Sequence, residues 1–217
     1  MTAAGKFDDV VLIQDGKYMG IQSKHKMNAM RITLDDLKKH KDFKLSTYFS
    51  SYFKMKTGMN DWMKTNHQPN SSLGEVILFT NALIEDDLIK GPNKIFEKIP
   101  KPHEIFNYST HPKNEPAIYQ LIDATKLQQL GITGGNDKDK KEFVDHFRLA
   151  ANQPDRHELT RYMKDLLTTR YQEEGIIDID RIYGRIEDEM ISWYEEKDGR
   201  FLTHNDASDI LEPIKSN

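Results

Sequence analysis

Residues 7–26 read FDDVVLIQDGKYMGIQSKHK, and the fold of the chain turns on this stretch. Two apolar runs flank Asp15-Gly16, a pair whose members both tolerate positive φ, so the pattern predicts a β-hairpin with a two-residue turn. Strand side chains alternate, which sets Asp9, Val11 and Ile13 on one side and Val10 and Leu12 on the other. On the return strand Gln22 and Lys24 share a side, with Ile21 and Ser23 opposite. A suitable register then brings Asp9 beside Gln22 and Lys24. A carboxylate, an amide oxygen and an ammonium on one sheet surface suit phosphodiester hydrolysis. Asp9 and the Gln22 carbonyl are oxygen donors of the kind that Mg²⁺ (or Mn²⁺) requires. Such an ion acidifies a bound water and offsets transition-state charge, while Lys24 orients or deprotonates the attacking water.

The bulk composition agrees with a folded protein. The 217 residues are 37% hydrophobic and 30% charged, enough for one domain, or one domain and a small appendage. A formal net charge of −4 provides no global attraction to nucleic acid, so any DNA affinity needs a local basic patch. The chain has no cysteine, which excludes disulfides, thiol catalysis and Cys-built zinc sites. The start, MTAAGKFDD, has no signal-like apolar core, and Thr2 stands where myristoylation needs Gly. No apolar run reaches spanning length, so the expected location is intracellular, cytoplasm or nucleus, without a membrane partner. The sequons at Asn70 and Asn107 then carry no meaning.

Beyond the hairpin, Thr33 with Asp36 three residues on predicts a capped short helix through Leu37. Ser46 is read as the cap of LSTYFSSYFKMK, whose Tyr48, Phe49, Tyr52 and Phe53 fall on one helical face. NHQPNSSLG reads as loop and EVILFTNALI, residues 75–84, as a buried strand. Residues 86–116 look irregular, Ala117–Ile122 strand-like. GITGGNDKDKK leads as a turn into a helix around Glu142–Phe147, and FRLAAN leans towards strand. GITGGNDKDKK is read as a turn and not a phosphate loop, because it lacks the Gly-Lys-Ser/Thr ending. Asp155 with Glu158 opens a helix carrying Leu159, Tyr162, Met163, Leu166 and Leu167 on one face. Ile179–Trp193 forms a further amphipathic helix, and THNDASDIL a last short one. The division expected is an α/β core over residues 1–135 and a mostly helical extension over 136–217.

FDDVVL followed by IQSKHK resembles the PD-(D/E)XK restriction-endonuclease-like superfamily, in the variant whose last motif is Gln-x-Lys. The spacing to DFKLSTYFSSYFKMK and VILFTNALI, and the later FRLAANQPDRHELTRYMKDLL, is similar to nuclease-type N-terminal modules attached to NACHT-type or other signalling ATPases in defence proteins. The resemblance implies an α/β fold, a mixed sheet flanked by helices, with a mostly helical part after it. It implies Asp9 (or Asp8, one residue out of register) as the motif acid, Gln22 and Lys24 as the final motif, and Mg²⁺ held by Asp9 and Gln22. Two departures stand out. Eight residues precede Asp9, so the family's first helix and most of its first strand are expected to be missing. Gln22 replaces a carboxylate, leaving one anionic ligand and Glu75 or Glu85 as conceivable extra donors.

The basic residues His25, Lys26, Lys38, Lys39 and Lys41, with His40 and Lys44 among them, are candidates for contacting a DNA backbone; a solvated edge or helix face is the plainer reading. The aromatic set could stack bases, but packing of a helix on the sheet explains it better. His103 and His111 lack metal-ligand spacing. Two functions from different classes result. One is a Mg²⁺-dependent nuclease hydrolysing DNA, for which a homodimer would supply the two cuts that a duplex needs. The other is a degenerate, non-catalytic nuclease scaffold whose helical second half docks to a larger ATPase-bearing partner.

Overall fold

The computed structural model describes residues 10–14, 16–26, 30–65, 72–99, 117–171 and 178–195. The hairpin forms as its sequence predicts. Strands β1 (Val10–Gln14) and β2 (Lys17–Lys24) pair antiparallel, from Val10↔Ile21 to Gln14↔Lys17, and Gly16 takes φ 71° in the turn. After it come a two-residue strand, β3 (Arg31–Ile32), and the short helix α1 (Leu34–Lys39). The Thr33 hydroxyl accepts from the Asp36 N–H at 3.2 Å and the Asp36 carboxylate accepts from the Thr33 N–H at 2.9 Å, a reciprocal cap for α1. Helix α2 (Leu45–Thr65) then runs for 21 residues. It starts one residue before Ser46, which therefore lies inside the first turn instead of capping it.

Helix α2 carries the chain back to β4 (Ser72–Thr80), which lies parallel to β2 from Lys17↔Ser72 to Lys24↔Thr80. Parallel neighbours need such a crossover. Between the partners of Tyr18 and Gly20, β4 advances from Leu73 to Val76, one residue more than β2. The apolar run 75–84 is not one strand. The long ladder begins at Ser72 and stops at Thr80, and β5 (Leu83–Ile84) pairs with β3 in a separate two-stranded sheet. Inside the segment expected to be irregular lie α3 (Asp86–Ile89) and β6 (Phe96–Lys98), both too short to leave a periodic signal. Residues 100–116, with His103 and His111, fall outside the described part.

β7 (Ala117–Leu121), a 3-10 helix at Ala124–Leu130, α4 (Asp137–His146) and β8 (Phe147–Ala151) complete a six-stranded sheet of order β1-β2-β4-β8-β7-β6. It is mixed: β8 is parallel to β4 and antiparallel to β7. The boundary expected at residue 135 is therefore misplaced. β8 sits between β4 and β7, so α4 and β8 belong to the sheet, and the compact units are Met1–Asp155 and Arg156–Asn217.

One face of the sheet carries the main core. Tyr18, Val76, Leu78, Phe147, Leu149 and Tyr119 pack there with Tyr48, Phe49, Tyr52 and Met55 of α2 and Phe143 of α4. The Phe143 ring stands edge-on to Phe49 at 5.3 Å and to Tyr52 at 5.8 Å. The aromatic set thus packs α2 and α4 onto the sheet, each buried ring stabilising the fold by about 1.5–3 kcal/mol. The opposite face buries Ile77, Ile118 and Ala150 beside Met19, Ile21 and Phe79.

In the second unit α5 (Arg156–Tyr171) and α6 (Ile179–Glu195) run antiparallel, as the pairs Lys164–Asp180 at 2.7 Å and Arg156–Glu187 at 3.4 Å require. Tyr171 and Ile182 are buried between them. The apolar face expected for α5 is only partly covered: Leu167 packs, whereas Met163 and Leu166 are exposed. THNDASDIL lies outside the described residues. No helix among the described residues is long and apolar enough to cross a membrane.

Candidate functional site

Alternation along β2 puts Tyr18, Gly20, Gln22 and Lys24 on the core face, and Met19, Ile21 and Ser23 on the other. The side-sharing expected of Gln22 and Lys24 therefore holds. Gln22, 3% exposed, lies beside Leu78 of β4, and half-buried Lys24 lies beside Thr80. Both sit where the parallel strands β2, β4 and β8 end, the edge at which open α/β sheets gather ligands. Val11 of β1 faces Gly20 and packs on the same side. Asp9, and the alternative Asp8, lie outside the described residues; the ladder is described from Val10 onward. The Lys24 side chain makes no hydrogen bond or ion pair among the described residues, whereas Gln22 is engaged.

Just past Lys24 the backbone is held firmly. The Asn81 side chain copies a strand: its Oδ1 accepts from the Lys26 N–H and its Nδ2 donates to the Lys26 carbonyl, each at 2.7 Å. The Lys26 ammonium is ion-paired to Asp42 and lies 5.2 Å over the Phe43 ring. The Lys26 hydrogen bond first, then its charge, hold the Asp42 carboxyl below the usual range against the effect of burial. The Tyr48 hydroxyl donates to the Asp42 carbonyl at 2.5 Å. Lys26 is thus held by Asp42 and the Phe43 ring.

The other basic candidates divide. Lys39 pairs with Asp35 at 2.7 Å on the surface of α1, a contact worth little in water. His25 and Lys41 are exposed, Lys38 is half-buried, and none of these forms an ion pair among the described residues. The sequence cluster is therefore interleaved with Asp35 and Asp42, and less basic than a count of lysines implies.

Neither acid considered as an extra donor joins Gln22. Glu75 shares its face with Ile77 and Phe79, where its Oε1 lies 2.9 Å from Arg148 Nε. That is the side of the sheet away from Gln22. Glu85 precedes α3 beside the small β3–β5 sheet, its N–H donating to the Ile32 carbonyl at 3.1 Å. Among the described residues no three His, Asp or Glu side chains gather as a metal site. A polar group that the sequence reading missed is Gln153, fully buried where β8 ends. Its N–H donates to the Thr80 carbonyl at 3.0 Å and its Nε2 to the Ala151 carbonyl at 3.0 Å, while its Oε1 has no hydrogen-bond partner among the described residues. Asn81 was missed as well. Its signal was an Asn interrupting the apolar run 75–84, a residue that often bonds nearby backbone.

A second polar network joins α2 to α4. The Tyr52 hydroxyl donates to Glu142 Oε1 at 2.9 Å, Lys56 is ion-paired to the same carboxylate, and the Tyr18 hydroxyl donates to the Lys56 carbonyl at 3.3 Å. Burial pushes the Tyr18 hydroxyl up to about 12. Tyr52 is raised by burial and then by the Glu142 hydrogen bond and charge. Burial opposes ionisation of Glu142, but the hydrogen bonds from Lys56 and Tyr52 outweigh it and hold the carboxyl below its usual value. These groups clamp two helices.

Set against family models, curated proteins and solved structures, the chain finds no match in any of the three.

Proposed function

We propose that the chain is a nuclease-like protein of the PD-(D/E)XK kind, hydrolysing DNA phosphodiester bonds with Mg²⁺ at the open end of β2. One observation carries the reading: Gln22 and Lys24 project from the same face at the end of the strand that closes an antiparallel hairpin and crosses over through α2 to a parallel neighbour. Asp9 supplies the anionic oxygen and Gln22 the neutral one for the ion. Among the described residues no three His, Asp or Glu side chains gather, so the reading depends on Asp9 for its carboxylate. When bound, the ion would acidify a water and offset the charge of the transition state. Lys24 orients that water or the scissile phosphate, and His25 and Lys41 steer the strand.

Titration calorimetry with Mg²⁺ or Mn²⁺ tests the metal half of the reading. Millimolar or tighter binding that disappears in Asp9→Ala is expected; no binding by the unaltered protein contradicts it. That negative result is what a second reading predicts: a non-catalytic scaffold that docks to a larger ATPase-bearing protein. The observation behind this second reading is Gln22, a neutral amide where the family pattern carries a carboxylate.

A further inference from the structure

We infer that Asn81 is a positioning residue for Lys24, an inference that rests on the nuclease reading of the β2 end. The parallel ladder between β2 and β4 ends at Lys24↔Thr80, and the chains then part: β4 yields to Asn81 and Ala82, β2 to His25 and Lys26. At that point a strand end ordinarily frays, because its next N–H and C=O have lost their partners. The Asn81 amide supplies both of them. It accepts from Lys26 N–H and donates to Lys26 C=O at 2.7 Å each, as a further strand residue would.

Two other contacts hold the same residue, and further bonds anchor what it is tied to. The Lys26 ammonium pairs with Asp42, lies 5.2 Å from the Phe43 ring, and so ties the end of β2 to the loop between α1 and α2. Tyr48 of α2 fixes that loop through the Asp42 carbonyl at 2.5 Å. On the β4 side, Ala82 N–H donates to Thr80 Oγ1 at 3.1 Å and Gln153 N–H to the Thr80 carbonyl at 3.0 Å, so the base from which Asn81 reaches is itself anchored. Lys24 itself makes no side-chain bond among the described residues. Its direction is therefore set by its backbone, which is pinned by the ladder before it and by Asn81 just after it. A lysine that must meet a water or a phosphate within a few tenths of an ångström needs such a brace, since small misplacement costs rate more than affinity.

The inference is tested with Asn81→Ala and Asn81→Asp beside the unaltered protein. Asn81→Asp keeps the acceptor for the Lys26 N–H and loses the donor, so it stands between the other two. Amide hydrogen exchange over residues 24–26 is expected to quicken at least about tenfold in Asn81→Ala, with most of the sheet unchanged, because two local hydrogen bonds are lost. Plasmid cleavage in Mg²⁺ is expected to fall about tenfold or more in kcat at unchanged KM, with Asn81→Asp intermediate; loss confined to stability would leave that split unmoved. Unchanged exchange in Asn81→Ala overturns the inference, and so does full kcat in a variant whose exchange has quickened. If the unaltered protein cleaves nothing, the nuclease reading fails and this inference with it; quickened exchange would then mark Asn81 as a structural brace only.

Discussion

The Tyr52 hydroxyl donates to Glu142 at 2.9 Å, linking the middle of α2 to α4 through a tyrosine with no exposed surface. The Lys56 ammonium completes the carboxylate's partners. Removing the acceptor leaves a buried hydroxyl unpaired, which costs about 1–3 kcal/mol. Glu142→Ala should therefore lower the melting temperature by several degrees at pH 7. Tyr52→Phe should lower it less, and the double variant no further than Glu142→Ala alone, because both changes remove one bond. Thermal melts of the three variants check this.

The same carboxylates set an acid limit. Glu142 lies below its ordinary 4.5 and Asp42 below its ordinary 3.8 in the folded chain. A depressed folded value means that the stabilisation is full above the ordinary value and lost as pH falls through the folded one. Between pH 7 and pH 5 the melting temperature should hardly depend on these two groups. Below about pH 4 it should fall. The deficit of Glu142→Gln relative to the unaltered protein should also shrink there, since both then carry a neutral group. A deficit that grows with acid would contradict the assignment.

Two adjacent glycines offer a sharper contrast. Gly135 has φ +80° and a Cβ there would stand 2.7 Å from Phe49 Cζ, whereas a Cβ on Gly134 meets nothing within 4 Å. Gly135→Ala should cost about 1–3 kcal/mol through left-handed strain and a displaced ring. Gly134→Ala should be close to neutral or slightly stabilising. Chemical denaturation of the pair checks both.

Much of this architecture was legible in the sequence. The Asp15-Gly16 turn, the Thr33–Asp36 cap and the aromatic face of α2 are local signals, and local chemistry decided each. The split of 75–84 was not read, because a nearly continuous apolar run is compatible with one strand or with two that serve different sheets. Nor was the place of β8: FRLAA reads as a strand, but its insertion between β4 and β7 depends on partners far away in the chain. At the candidate site, the alternation that puts Gln22 with Lys24 could be read directly. That Asp42 takes Lys26, that Asn81 extends the ladder and that Glu75 turns to Arg148 could not, since each pairing spans from 16 to 73 residues, the last being the interval 148 − 75.

The lysines should separate in their behaviour. Lys26→Ala breaks an ion pair and a ring contact, so it should lower stability before it changes DNA affinity. Lys41→Ala removes an exposed cation and should leave the melting temperature within a degree or so. If Lys41 touches a phosphate, its loss should flatten the slope of log K against log salt by roughly 0.9. Fluorescence anisotropy with a short duplex across a salt series measures that slope.

Nicking of supercoiled plasmid in Mg²⁺, by the unaltered protein and by Lys24→Ala prepared in parallel, bears most directly on the role of the β2 end. Metal-dependent relaxation that drops by about a hundredfold or more with Lys24→Ala is the result expected of a general acid–base or orienting lysine. Identical relaxation by both proteins, or none by either, would show that no phosphodiester is broken through Gln22 and Lys24.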